Sequence, residues 1–95
     1  MSIRVIARFF SKDTSRETLK PLLMNLVEPI RHDYGCISCH LTQHKDDLNE
    51  FTFIEEWQDQ ASLDTHLASK HIQDAVIQIN PHLSKPLELH IYNNL

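Results

Sequence analysis

Ninety-five residues with 41% hydrophobic content and one glycine predict a single domain, 1–95, since a stretch of this size rarely divides. Thirteen acidic residues against nine dispersed basic ones give a formal charge of −4, which argues against nucleic acid as a partner because a phosphate backbone requires clustered Lys and Arg. No apolar run reaches the length of a membrane span or a signal peptide, and two cysteines cannot staple a small secreted domain, so no membrane association and a cytoplasmic setting are expected.

Residues 2–10 alternate Ile3, Val5, Ala7 and Phe9 against Arg4, Ile6, Arg8 and Phe10, the period of a strand. From Ser15 to Arg31, Leu19, Leu22, Leu23, Leu26, Val27 and Ile30 recur at the spacing of one helical face. Thr14 and Glu17 offer a capping box at its start. Pro21 implies a kink or a loose first turn, and Pro29 should help to end the helix. Asp33-Tyr34-Gly35 terminates it, with Gly35 taking the positive φ.

Residues 36–44 read as a second strand, Lys45 to Glu50 as a hairpin loop, and Phe51 to Trp57 as a β-branched and aromatic third strand. Asp59 or Ser62 caps a short helix carrying Leu63 and Leu67. Ser69 caps another carrying Ile72, Ala75, Val76 and Ile79, which Pro81 ends. Leu87, Leu89 and Ile91 then alternate with Glu88, His90 and Tyr92 as a fourth strand.

The order β-α-β-β-α-α-β predicts an α+β fold, a four-stranded antiparallel sheet with the helices on one face. The other face carries Arg4, Arg8, Ser38, His40, Glu88, His90 and Tyr92, but also Ile6 and Phe10. It is too apolar for bare solvent, and a second copy covering it, a homodimer with a lined cavity, is the simplest expectation.

Chemistry is densest at Glu55-Glu56-Trp57, His66 and Ser69-Lys70-His71. Glu55 and Trp57 share one strand face and Glu56 takes the other. Trp57 serves as core or as a ligand wall; His66, between Leu63 and Leu67, as a structural or a catalytic imidazole; His71 as a helix cap or a site residue. Cys36-Ile37-Ser38-Cys39-His40 has the spacing of a redox pair or a haem attachment, and with His44 that of a zinc set. On a regular strand the two cysteines face opposite ways, so they are read as buried apolar filler, and no metal is expected.

Tyr34-Gly35-Cys36-Ile37 at a helix end, the strand into Glu55-Glu56-Trp57, and His66-x-x-Ser69-x-His71 together resemble the antibiotic biosynthesis monooxygenase family. These are ferredoxin-like dimeric α+β barrel proteins that include quinol monooxygenases and an autoinducer-processing enzyme. The resemblance implies oxidation of a small aromatic or quinol-type substrate by molecular oxygen without a cofactor: the substrate hydroxyl is deprotonated and its anion reduces oxygen directly. A related isomerisation and ligand binding without turnover are the alternatives.

On that implied mechanism His66 or His40 accepts the proton and Arg8 steadies the anion. Trp57 stacks on the ring, Glu55 orients an imidazole, and His71 joins the substrate-binding set. Arg8 and His40 must then converge on Glu55, Trp57 and His66. The haem-degrading members use an Asn, a Trp and a His where this chain has Arg8, His66 and Val76, which disfavours haem cleavage.

Overall fold

Strand β1 (Ile3–Phe10) lies at the centre of the fold in the computed structural model of residues 1–95. It is followed by α1 (Arg16–Met24), α2 (Val27–His32), β2 (Cys36–Gln43), β3 (Glu50–Trp57), α3 (Gln60–Ala68), α4 (Lys70–Ile79), a short 3-10 turn at Asn80–His82, and β4 (Glu88–Asn93). The strands form one antiparallel sheet in the order β2-β3-β1-β4. This is the α+β architecture and element order expected from the pattern.

One face packs against the helices. Ile3, Val5, Ala7 and Phe9 of β1 meet Phe51, Phe53 and Trp57 of β3 in a core completed by Leu19, Leu23, Ile30, Leu63, Ile72 and Ile79. The strict alternation of burial along β1 and β3 is the sheet period expressed directly. β4 is different: Leu89, Ile91 and Tyr92 are all exposed, so this edge strand is covered by little on either face.

The long helix expected over 15–31 is two helices, interrupted at Asn25–Leu26. Pro29 supplies no N–H to the Asn25 carbonyl four residues earlier, and its ring crowds that carbonyl, so the break falls there and not after Pro29. Pro21 sits inside α1, where the donor it removes would have served the Glu17 carbonyl in the first turn. The Thr14/Glu17 capping box does not form: Ser15 is the N-cap and makes no side-chain capping bond. Asp59 does cap α3, accepting from the Ser62 N–H at 2.8 Å. Ser69 instead donates to the His66 carbonyl at 2.7 Å, closing the end of α3 without capping α4.

Cys36 and Cys39 face the same side, contrary to the regular-strand expectation. Cys36 pairs with Trp57 and Ser38 with Glu56, leaving Ile37 as an extra residue. This bulge shifts the alternation by one, so both thiols point to the helix side, Cys39 fully buried and Cys36 partly.

Gly35 has φ +85°, and a Cβ there would overlap the Ser62 side chain. Its carbonyl accepts the Gln58 N–H at 2.8 Å. A glycine therefore allows the first turn of α3 to rest on the turn after α2, which holds Asp33 within reach of α3. No helix is long and apolar enough to cross a membrane.

Candidate functional site

Between the sheet and the helices lies a cavity of about 130 Å³ lined by sixteen residues, fourteen of them hydrophobic. The apolar lining includes Val5, Phe9, Phe53, Leu67, Val76 and Leu89. The two exceptions are Glu55 and His66. Broader depressions on the outer surface, such as the one bordered by Arg8, His44, Glu50, His90 and Tyr92, are more polar and more open. A mostly apolar, partly open pocket with two polar residues in its lining has the composition of a small-molecule site.

Glu55 is only 5% exposed. Its Oε1 accepts the Trp57 indole N–H at 2.8 Å. Burial raises its pKa above the ordinary 4.5, against the opposing pull of the Trp57 N–H and of His66. The carboxyl thus holds its proton to higher pH than an exposed glutamate does.

His66 is buried on α3 and packs over Trp57, ring centroids 4.6 Å apart at 37°. Its Nδ1 lies 2.6 Å from Asp33 Oδ2, and that same oxygen lies 3.0 Å from Nε2 of His71. Glu55 Oε2 and His66 Nε2 have no hydrogen-bond partner within the protein. Because no unpartnered polar atom is sealed inside the fold, both atoms keep some access to solvent, and both residues line the cavity.

Glu55, Trp57 and His66 therefore come together as the sequence pattern suggested, but in different places from those expected. Trp57 is fully buried and does not line the cavity; it stands behind Glu55 and His66 and fixes both. His71 is exposed and reaches the group through Asp33 from outside.

Arg8 and His40 do not converge on these residues. In the register, Arg8 lies opposite Thr52 and His40 opposite Ile54, each out of phase with Glu55, so both side chains are exposed on the face away from the helices. The proposed zinc donors do not meet either. Cys36 and Cys39 face the helices, His40 faces away, and His44 accepts the Asp46 and Asp47 N–H groups of the hairpin loop at 3.0 Å.

Asp33 is the member of the site that sequence reasoning passed over. It was read only as part of a helix-ending turn, because it lies 33 residues from His66 and shares no periodicity with it. Asp33, His66 and His71 carry metal-ligating atoms within 4.8 Å of one another. The 2.6 Å contact is a charge-assisted hydrogen bond, and the trio is a hydrogen-bonded cluster.

The model of the antibiotic biosynthesis monooxygenase family matches residues 2–78. Rv0793 of Mycobacterium tuberculosis, which bears a provisional monooxygenase name, is 31% identical over 85 residues, spanning 90% of this chain and 83% of that protein. Its solved structure aligns with a TM-score of 0.93 and 28% identity over 100% of this chain and 96% of that one. A crystal structure described as an antibiotic biosynthesis monooxygenase gives 0.92 at 33% identity, covering 98% of both chains. An uncharacterised Synechocystis protein, sll1783, is 32% identical over 81 residues, and the match spans 85% of this chain but 55% of that protein. By the extent of the family match and the identity to these relatives, the chain belongs to the antibiotic biosynthesis monooxygenase family.

Proposed function

We propose that this chain is a cofactor-independent monooxygenase of a small phenol or quinol, acting in the helix-side cavity with His66 as the base. The observation that carries this reading is that Glu55 and His66 are the two polar residues lining an otherwise apolar pocket, each with a side-chain atom, Oε2 and Nε2, that has no partner within the protein. The family membership and the monooxygenase name of Rv0793 support the same class of reaction.

In this mechanism Nε2 takes the hydroxyl proton of the substrate, and the neighbouring acid Glu55 holds or returns a proton as charge moves. The anion gives an electron to oxygen and a ring carbon forms a bond to it. The O–O bond then breaks: one oxygen stays as a new carbonyl, and the other leaves as water with the hydroxyl proton and the ring proton. The sum is phenol plus O2 to quinone plus water, or hydroquinone plus O2 to hydroxyquinone plus water, and the substrate supplies every electron.

A cavity of about 150 Å³ accommodates benzene, so one of about 130 Å³ favours single-ring substrates. Arg8 and His40 have no part at the base in this account. Their face, with Ile6, Phe10 and Ile54 half-buried, is proposed as the seat of a second copy of the chain, which would also shelter the exposed β4.

Oxygen uptake with a panel of hydroquinones and their one-, two- and three-ring analogues tests the reading. Uptake that favours the single-ring members, with water as the reduced product, is the expected result. Thermal stabilisation by the same compounds without oxygen uptake would make the protein a binding module instead.

A further inference from the structure

A base in an apolar cavity must present a lone pair, and an imidazole does so through only one of its nitrogens at a time. Which nitrogen is free depends on the bond made by the other. For His66 the Nδ1 side is committed to Asp33 Oδ2 at 2.6 Å, while Nε2 has no partner within the protein and belongs to a residue that lines the cavity. A carboxylate accepts and does not donate, so this contact calls for a proton on Nδ1 and leaves the lone pair on Nε2.

The same Asp33 oxygen is 3.0 Å from Nε2 of His71, whose side chain is 43% exposed against 21% for Asp33 and 5% for His66. The two imidazole centroids are 6.3 Å apart at 69°, so the rings meet only through the carboxylate. A surface histidine in contact with bulk solvent thus shares its counter-charge with the buried one. Other charged or titratable groups near this cluster are Glu55 from β3, Cys36 from β2, Arg31 from α2, and Asp74 with its partner Lys70 on α4 beside His71.

We propose that Asp33 is the positioning residue of the cavity histidine, fixing the tautomer that turns the Nε2 lone pair of His66 into the cavity. Through the same oxygen it couples that lone pair to the charge on His71. When His71 is protonated it competes for Asp33, and less of the negative charge remains to support a proton on His66. When His71 is neutral the full carboxylate backs the base. The cavity base is therefore weakened whenever the surface imidazole carries a charge. The inference rests on His66 acting in the cavity, but its physical content, tautomer and coupling, does not depend on turnover.

Nitrogen-15 NMR of the imidazoles in the intact protein tests it, using wild type, Asp33→Asn and His71→Gln. Wild-type His66 is expected as the Nδ1–H tautomer above its titration midpoint. Asp33→Asn, nearly isosteric, is expected to move the midpoint to lower pH by about one unit or more and to lose the single tautomer. His71→Gln keeps a donor to Asp33 without the titrating charge and is expected to move the midpoint of His66 upward. With a turned-over substrate, Asp33→Asn should lower kcat on the order of 10²- to 10⁴-fold with KM little changed. An Nε2–H tautomer in the wild type, or an Asp33→Asn variant with unaltered tautomer and midpoint, would overturn the positioning role. An unmoved midpoint in His71→Gln would overturn the coupling. Full turnover by His66→Ala alongside the expected NMR result would instead reject the catalytic reading and leave the tautomer assignment standing.

Discussion

The indole N–H of Trp57 donates to Glu55 Oε1 at 2.8 Å, two residues away on the same face of β3. This bond fixes one oxygen of a buried carboxyl and leaves the other without a partner in the protein. Because burial raises the pKa of Glu55, the folded state holds the proton to higher pH than the unfolded chain does. Its contribution to stability is complete below the ordinary value of 4.5 and is lost as pH rises through the raised value. Glu55→Gln keeps the acceptor for Trp57 and cannot ionise. Thermal unfolding should therefore show variant and wild type close together at pH 4.5, with the variant gaining on the wild type toward pH 8. A difference in Tm that does not change with pH would contradict the assignment of Glu55 as a buried acid.

Gly35→Ala should be among the most damaging small substitutions. It places an L-residue at φ +85° and drives a methyl group into Ser62. Left-handed backbone costs about 1–2 kcal/mol and overpacking about 1–3 kcal/mol, so a loss of about 2–5 kcal/mol is expected. For a domain of this size each kcal/mol shifts Tm by about 4–8 °C. Calorimetry should give a Tm lower by roughly 10 °C or more. A near-native Tm would mean that the turn carrying Asp33 has room to relax away from α3.

Both thiols should be sluggish in the folded protein. Burial first, and then the charge of Glu55, push Cys36 up to about 11 and Cys39 up to about 12. At pH 8 only about one thousandth of Cys36 is thiolate, the reactive form. Alkylation followed by mass spectrometry should label neither residue appreciably in native buffer and both rapidly in denaturant. Fast native labelling at Cys36 would show that the bulge opens readily.

The amino-acid pattern carried the element order, the sheet and the pairing of Glu55 with Trp57 on one face, because periods of 2 and 3.6 are local and strong. It failed where one residue changes a period or where contacts are long-range. The extra residue Ile37 reverses the facing of Cys36 relative to Cys39, and nothing in Cys36-Ile37-Ser38-Cys39 announces it. Asp33 meets His66 only after α3 folds back over Gly35, a contact no window of neighbouring residues contains. Arg8 and His40 lie on the face of the sheet that their alternation gives, but they do not converge on Glu55 and His66, whose pocket lies under the helices.

Oxygen uptake by His66→Ala, compared with wild type, Arg8→Ala and His40→Ala on the best single-ring hydroquinone, is the most direct test of the central claim. With all variants folded by near-UV circular dichroism, His66→Ala is expected to lose activity by on the order of 10²-fold or more, while Arg8→Ala and His40→Ala stay within about threefold. Retained turnover in His66→Ala, or its loss in Arg8→Ala or His40→Ala, would contradict the account and move the chemistry to the open face of the sheet.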